Sequence, residues 1–245
     1  MPDATLTVPP PTGTPRRRPR SRTGWALVTL TSLAVAGYSL ALYAQGTLEA
    51  MAEAEIGLAD NYAATPGPVQ AAFFAHVVTG ALALLLGPWQ FSHRLRGRHR
   101  PVHRGIGRAY LLSVALASLT ALVMAPFNSA GMVGFFGFGT LAVLWAFTAW
   151  RGYRAVRRRD FAEHEAWMIR NYALTYAAPA LRLWLAVLIF VQVPFATPGT
   201  DFQALFDNAY YAVPFLCWLP NLVVAEWLVR RRGLPPAGNL ARSGG

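Results

Sequence analysis

The chain has 245 residues, 54% hydrophobic and 13% charged, with a formal charge of +11. About a quarter of the residues in a soluble domain are charged, so this composition excludes an ordinary water-soluble enzyme and suits a surface that mostly faces lipid. Every basic residue is Arg. These arginines flank apolar runs and form no basic face, which points to topogenic charge and no nucleic-acid partner.

Residues 1–23 are rich in Pro, Thr and Arg and poor in apolar residues, the composition of a disordered arm. Arg16, Arg17, Arg18, Arg20 and Arg22 then precede an apolar run over 24–45. A secretory signal core has about 7–15 apolar residues and a cleavage site. This run is longer and has no such site, so it reads as a retained first helix. Five further segments reach the roughly 20 apolar residues that a bilayer core demands. They cover 69–92, 107–127, 132–150, 167–193 and 210–229. The expected fold is all-α, a polytopic bundle of six transmembrane helices over 24–232, followed by a flexible tail at 233–245.

Local signals refine this plan. Pro68 suits the first turn of the second helix, where its missing N–H does no harm. Pro126 and Asn128 end the third helix, and the turn from Asn128 to Gly131 predicts a tight hairpin to the fourth. Asp160 and Glu163 have capping-box spacing, which starts the fifth helix before the membrane. Pro179 and Pro214 fall inside the fifth and sixth helices and predict kinks. The acidic, Ala-rich stretch 47–59 predicts a short helix lying near the headgroups. Gly131, Gly134, Gly137 and Gly139, with Ala117, Ala121 and Ala125, predict close packing of helices three and four. Cys217 is the only cysteine. That excludes an intramolecular disulfide, a thiolate zinc cluster and a Cys-ligated iron–sulfur centre, and its apolar setting predicts a packing role.

Arginine placement predicts orientation. Arg94, Arg96, Arg98, Arg100, Arg104 and Arg108 lie between helices two and three. Arg151, Arg154, Arg157, Arg158 and Arg159 lie between four and five, and Arg230, Arg231 and Arg232 follow six. The opposite connections contain no Arg and hold Glu49, Glu53, Glu55, Asp60, Asp201 and Asp207. The expectation is a plasma-membrane protein with both termini cytoplasmic and its arginine-rich rim on anionic headgroups.

Ionisable groups inside a membrane are costly and mark functional candidates. His76 lies about two turns inside helix two, on a small and polar face through Thr79, Gly80, Ala83, Gly87 and Gln90. That face leaves room for a partner helix or for a flat cofactor, and a histidine hydrogen-bonded across helices is the plainer alternative. Arg182 lies inside helix five with no carboxylate at its depth, Glu226 falling near the opposite boundary. Backbone carbonyls freed by Pro179 or a bound anion, such as a cofactor propionate or lipid phosphate, are equal alternatives for it. At the arginine-rich end, His103 and His164 enter the bilayer surface from the same side on helices three and five, where a facing pair is one alternative and a solvated or phosphate-contacting role the plainer one. About sixteen residues of helix, roughly 24 Å, separate His76 from that end. His76 and His103 therefore cannot share one metal ion. A rim metal would use His103 and His164; one near His76 would need another ligand, such as Met124 or Met132.

The stretch from His76 to about Leu185 resembles a bacterial family of membrane proteins, domain of unknown function 2306. The matching residues are His76-Val-Val-Thr-Gly80, Gly87-Pro-Trp-Gln-Phe91, Leu95-Arg96, His103-Arg-Gly-Ile-Gly-Arg-Ala-Tyr110, His164-Glu-Ala-Trp-Met-Ile-Arg170, Tyr172-Ala-Leu174 and Leu181-Arg182. Glu165 departs from the basic residue expected after that histidine. The resemblance implies a multi-pass membrane protein and sets His76, His103, His164 and Arg182 in motif positions.

Three functions compete: a redox protein binding b-type haem or quinone, a small-solute or anion transporter, and a non-catalytic assembly or lipid-contacting protein. The candidate cofactor-binding residues are His76, Gln90, His103, His164, Arg170 and Arg182. No Walker loop, dinucleotide fingerprint, Gly-x-Ser-x-Gly or His-Glu-x-x-His motif is present in the sequence.

Overall fold

The computed structural model describes residues 22–54, 57–197 and 199–237. The arm before residue 22, Glu55 and the end of the tail lie outside the described residues. Within them the chain forms eleven α-helices: α1 (Arg22–Tyr43), α2 (Leu48–Glu53), α3 (Ala59–Ala63), α4 (Gly67–Gln90), α5 (His93–Arg98), α6 (Arg100–Met124), α7 (Gly131–Arg157), α8 (Phe161–Thr175), α9 (Ala177–Gln192), α10 (Phe202–Leu216) and α11 (Leu219–Arg231). Six helical stretches are long and apolar enough to cross a bilayer: Thr23–Tyr43, Gly67–Gln90, Arg100–Phe127, Gly131–Arg157, Ala177–Phe195 and Phe202–Arg231.

The residue distribution is that of a membrane bundle. Large apolar side chains such as Leu30, Leu112, Phe190 and Val223 point outward, forming an apolar exterior that water would not tolerate on a monomer. Small and polar residues sit inside, among them Ala83, Ala117, Ser32 and Asn171. Such residues let helices approach and bond across their interfaces. The main core gathers Tyr110, Val114, Trp145, Met168, Tyr172 and Val213. The tightest helix pair is α4 with α6, followed by α7 with α8.

Two spans are broken, each beside a proline. Tyr176 separates α8 from α9, three residues before Pro179, whose missing N–H leaves the Thr175 carbonyl without its helical donor. Bonds from Tyr176 N–H to the Tyr172 carbonyl (2.9 Å) and from Ala180 N–H to the Tyr176 carbonyl (3.1 Å) carry the chain through the bend. The break between α10 and α11 falls at Cys217 and Trp218. It lies beyond Pro214, which α10 accommodates, and just before Pro220, in the first turn of α11. Side chains repair this break. Trp218 Nε1 donates to the Pro214 carbonyl at 2.8 Å, and Asn221 Nδ2 to the Cys217 carbonyl at 2.9 Å. Cys217 itself is buried.

Other expectations are corrected in detail. The capping box is half formed: Asp160 Oδ1 accepts from Glu163 N–H at 2.9 Å, but the Glu163 carboxylate turns away to arginines. The acidic stretch holds one short helix, α2, with α3 beginning at its last residue, and Leu48 and Met51 bury against Phe73 of α4. Gly137 makes its close approach to Pro214 of α10, not to α6. The turn before α7 is built as expected, with Asn128 Oδ1 accepting from Ala130 N–H at 2.9 Å and Gly131 at a φ of 55°.

Candidate functional site

A hydrogen bond in the middle of the bundle fixes how α6 faces α8. Tyr110 O–H donates to Asn171 Oδ1 at 2.6 Å. His103 lies seven residues before Tyr110 on α6, and His164 seven before Asn171 on α8. Seven residues are close to two helical turns, about 10 Å of rise. The two histidines therefore lie on the same helix faces as Tyr110 and Asn171, two turns nearer the arginine-rich end, and His103 lies within electrostatic reach of His164, Arg96 and Arg104.

Each histidine has a distinct environment. His164 Nδ1 lies 2.8 Å from the Gly152 carbonyl of α7. A carbonyl only accepts, so Nδ1 carries the proton and Nε2 keeps its lone pair. Burial pushes the His164 imidazole below its ordinary pKa, against the opposing pull of the Gly152 bond. His103 Nδ1 is buried with no hydrogen-bond partner, and so is Gln90 Nε2. The Gln90 amide lies against Gly107, one turn beyond His103 on α6; a Cβ there would come within 3.1 Å of Gln90 Oε1.

Carboxylates organise the rim. Glu165 stands between Arg96 (3.5 Å) and Arg232 (3.4 Å), so the residue that departs from the expected pattern pairs with two arginines beside His164 and offsets one of their two charges. Glu163 accepts from Arg151 at 2.9 Å, Arg158 at 2.6 Å and Trp167 Nε1 at 3.1 Å. Burial alone would raise its carboxyl pKa; these hydrogen bonds outweigh it and hold the group below the ordinary carboxylate range.

The remaining candidates lie apart from this cluster. His76 Nδ1 meets the Ala117 carbonyl of α6 at 2.9 Å, the cross-helix bond that was the plainer alternative. Ala117 is fourteen residues from His103, about 21 Å of helix. Much of the small face of α4 is filled by protein: Ala83 is fully buried, and a Cβ on Gly87 would strike the Tyr172 ring. Met132 is 67% exposed, and Met124 packs in the cluster around Phe73. Arg182 Nη1 donates to the Ala178 carbonyl at 2.9 Å and Nη2 to Ser39 Oγ of α1 at 2.8 Å. The Arg182 acceptor is thus the carbonyl one turn back, not the Thr175 carbonyl that Pro179 frees. Arg170 is 3% exposed and bidentate to Glu226 of α11, at 2.5 and 3.0 Å.

The polar network beneath the histidines was not singled out in the sequence. Asn171 Nδ2 donates to the Trp145 carbonyl and to Thr148 Oγ1, both at 2.9 Å. Trp145 Nε1 donates to Thr175 Oγ1 at 2.9 Å, and Thr175 Oγ1 lies 2.8 Å from Tyr110 O. The amide, indole and phenol hydrogens are all used within the network, so it locks α6, α7 and α8 together and leaves no donor for a ligand. A usable sequence signal existed: Asn171 and Thr175 are one turn apart in an apolar span. Among the described residues no three His, Cys, Asp or Glu side chains converge as a metal site.

Six apolar spans around a buried polar seam, with an arginine-rich end and an acidic end, define a multi-pass membrane protein. The chain belongs to the family described as predicted membrane protein (DUF2306), whose profile matches residues 73–229. That match runs from α4 into α11 and leaves α1 to α3 outside it. No curated protein and no solved structure matches the chain.

Proposed function

We propose that this protein is a membrane redox protein whose redox group sits between His103 and His164 at the arginine-rich end of the bundle. The observation that carries the reading is the place of His103 and His164 two turns from the Tyr110–Asn171 bond, with His164 Nδ1 tied to the Gly152 carbonyl. Ligating histidines commonly donate their second ring N–H to a carbonyl, which aims the other nitrogen at the metal. A b-type haem suits this donor set: the two imidazoles would hold it, and Arg96 or Arg104 would meet its propionates. When bound, such a group supplies one-electron transfer. The chain's own residues orient the His164 ring, keep it neutral and supply cationic partners.

The unpartnered Gln90 Nε2 and His103 Nδ1 favour a second reading, a quinone head group whose carbonyl oxygen accepts from both. We also assign the arginine-rich end to the cytoplasmic side, following the positive-inside bias, with anionic headgroups at that rim.

The test is a visible spectrum of detergent-purified protein from haem-supplemented cells, with organic extraction in parallel. The haem reading expects a Soret band lost in both His103→Ala and His164→Ala and kept in His76→Ala. The quinone reading expects extracted quinone that falls in Gln90→Leu. Absence of both groups from folded protein would refute the redox reading.

A further inference from the structure

A lipid-facing groove of about 490 Å³ runs between α6 and α7. Leu112, Ala115 and Leu119 form one wall, and Ala146, Trp150 and Tyr153 the other. From Leu111 to Leu122 it follows α6 for about 17 Å at 1.5 Å per residue. The small side chains of Ala115 and Ala146 hollow it.

Helical periodicity fixes what lies at one end. The α6 wall continues back through Arg108 and Arg104, and the α7 wall continues forward through Arg154 and Arg157. The Arg154 guanidinium lies over the Trp150 ring at 5.0 Å, and Arg157 Nη1 donates to the Tyr153 phenol oxygen at 3.2 Å. All four of these arginines are exposed, and none pairs with a carboxylate among the described residues. In contrast, Arg96, Arg151, Arg158, Arg170 and Arg232 each do. Four exposed cations without a carboxylate partner thus stand at the mouth of an apolar groove rimmed by Trp and Tyr; among the described residues Arg94, Arg98, Arg100, Arg159, Arg230 and Arg231 are likewise without one elsewhere on the rim. Those aromatic residues favour the headgroup level of a bilayer.

We propose that this groove binds an anionic phospholipid, with one acyl chain lying along α6 and α7 and the phosphate held among Arg104, Arg108, Arg154 and Arg157. Guanidinium forks match phosphate oxygens bidentately, and basic pockets between transmembrane helices recognise anionic headgroups. Arg104 is the one residue this proposal shares with the redox reading; the groove and the other three arginines are separate from it.

The test is native mass spectrometry and thermal melting of the full-length, delipidated protein titrated with phosphatidylglycerol or phosphatidylcholine of identical chains. The expected result is at least tenfold tighter retention of phosphatidylglycerol, with a higher melting temperature. That preference should vanish in Arg108→Gln/Arg154→Gln, persist in Arg158→Gln, and be lost with overall lipid retention in Ala115→Trp. The arginine pair is on the surface, so its variant keeps the test valid if the groove-filling variant fails to fold. Equal retention of both lipids, an unchanged preference in the double arginine variant, or co-purification of an isoprenoid quinone displaced by Ala115→Trp would each overturn the proposal.

Discussion

Tyr110 and Asn171 are joined by a 2.6 Å hydrogen bond through the centre of the bundle, and this contact sets α6 against α8. Asn171 has no exposed surface and bonds α7 as well, through the Trp145 carbonyl and Thr148. One amide therefore fixes three helices, and the placement of His103 relative to His164 two turns away depends on it.

Removing the phenol leaves Asn171 Oδ1 buried without its donor. Leaving a buried polar group unsatisfied costs roughly 1–3 kcal/mol. Tyr110→Phe should therefore lower stability by about that amount in a reversible detergent-denaturation titration. Asn171→Leu should cost more, because it also removes the bonds to the Trp145 carbonyl and to Thr148 Oγ1. The double variant should cost less than the sum of the two, since the residues share one network. Additive losses would mean that the bond is absent.

Arg170 and Glu226 form an asymmetric ion pair, with side chains 3% and 35% exposed. Removing one partner of a buried pair typically costs about 3–5 kcal/mol, because a charge is left uncompensated. Glu226→Ala strands the buried guanidinium and should reach roughly the low end of that range. Arg170→Ala strands a carboxylate that retains access to solvent and should cost less. Chemical denaturation of the two single variants gives the order, and equal losses would count against this burial asymmetry.

Gly87 has no room for a side chain, since an added Cβ would meet the Tyr172 ring. Overpacking a filled core costs typically about 1–3 kcal/mol. Gly87→Val should lower the melting temperature, whereas Gly80→Ala, where a Cβ meets nothing within 4 Å, should leave it within error.

The pH dependence has a defined sign. The His164 pKa is lowered in the folded protein, so below the ordinary histidine value near 6.5 the unfolded chain binds more protons than the folded one at this site. The stability contribution of the neutral ring is complete above that value and is lost as pH falls through it toward the folded-state value. His164→Gln should flatten the melting-temperature profile between about pH 5 and 7. A profile identical to the parent's would refute this assignment.

The six apolar stretches were legible because crossing a bilayer is chiefly a demand on length and polarity. Arginine asymmetry between successive connections was legible for the same reason. Contacts between distant residues were not. Arg170 and Glu226 are 56 positions apart, and nothing local links them; Arg182 and Ser39 meet only because α1 packs beside α9. The break before α11 was missed because Pro214 drew the kink. The first-turn position of Pro220 and the side-chain repairs by Trp218 and Asn221 depend on where the chain turns. At the candidate site, the entry of His103 and His164 from the same end on parallel helices was legible from helix direction alone. The roles of Gln90 and Glu165 came from packing: Gly107 admits the Gln90 amide, and Arg96 and Arg232 converge on Glu165.

Membrane sidedness is open to direct labelling, because Cys217 is buried and can be replaced by Ser. Single cysteines at Asp60 or Gly199 should react with an impermeant maleimide on intact cells, and a single cysteine at Arg98 should react only after lysis. The reverse pattern would invert the assigned orientation while leaving the fold untouched.

Cross-linking tests the opposition of His103 and His164 most directly. In a Cys217→Ser background, His103→Cys/His164→Cys should form an intramolecular link with a short bismaleimide, joining the fragments after proteolysis between α7 and α8. His76→Cys/His164→Cys should not link. Failure of the first pair in folded protein, or equal linking of both pairs, would contradict the arrangement on which the redox site depends.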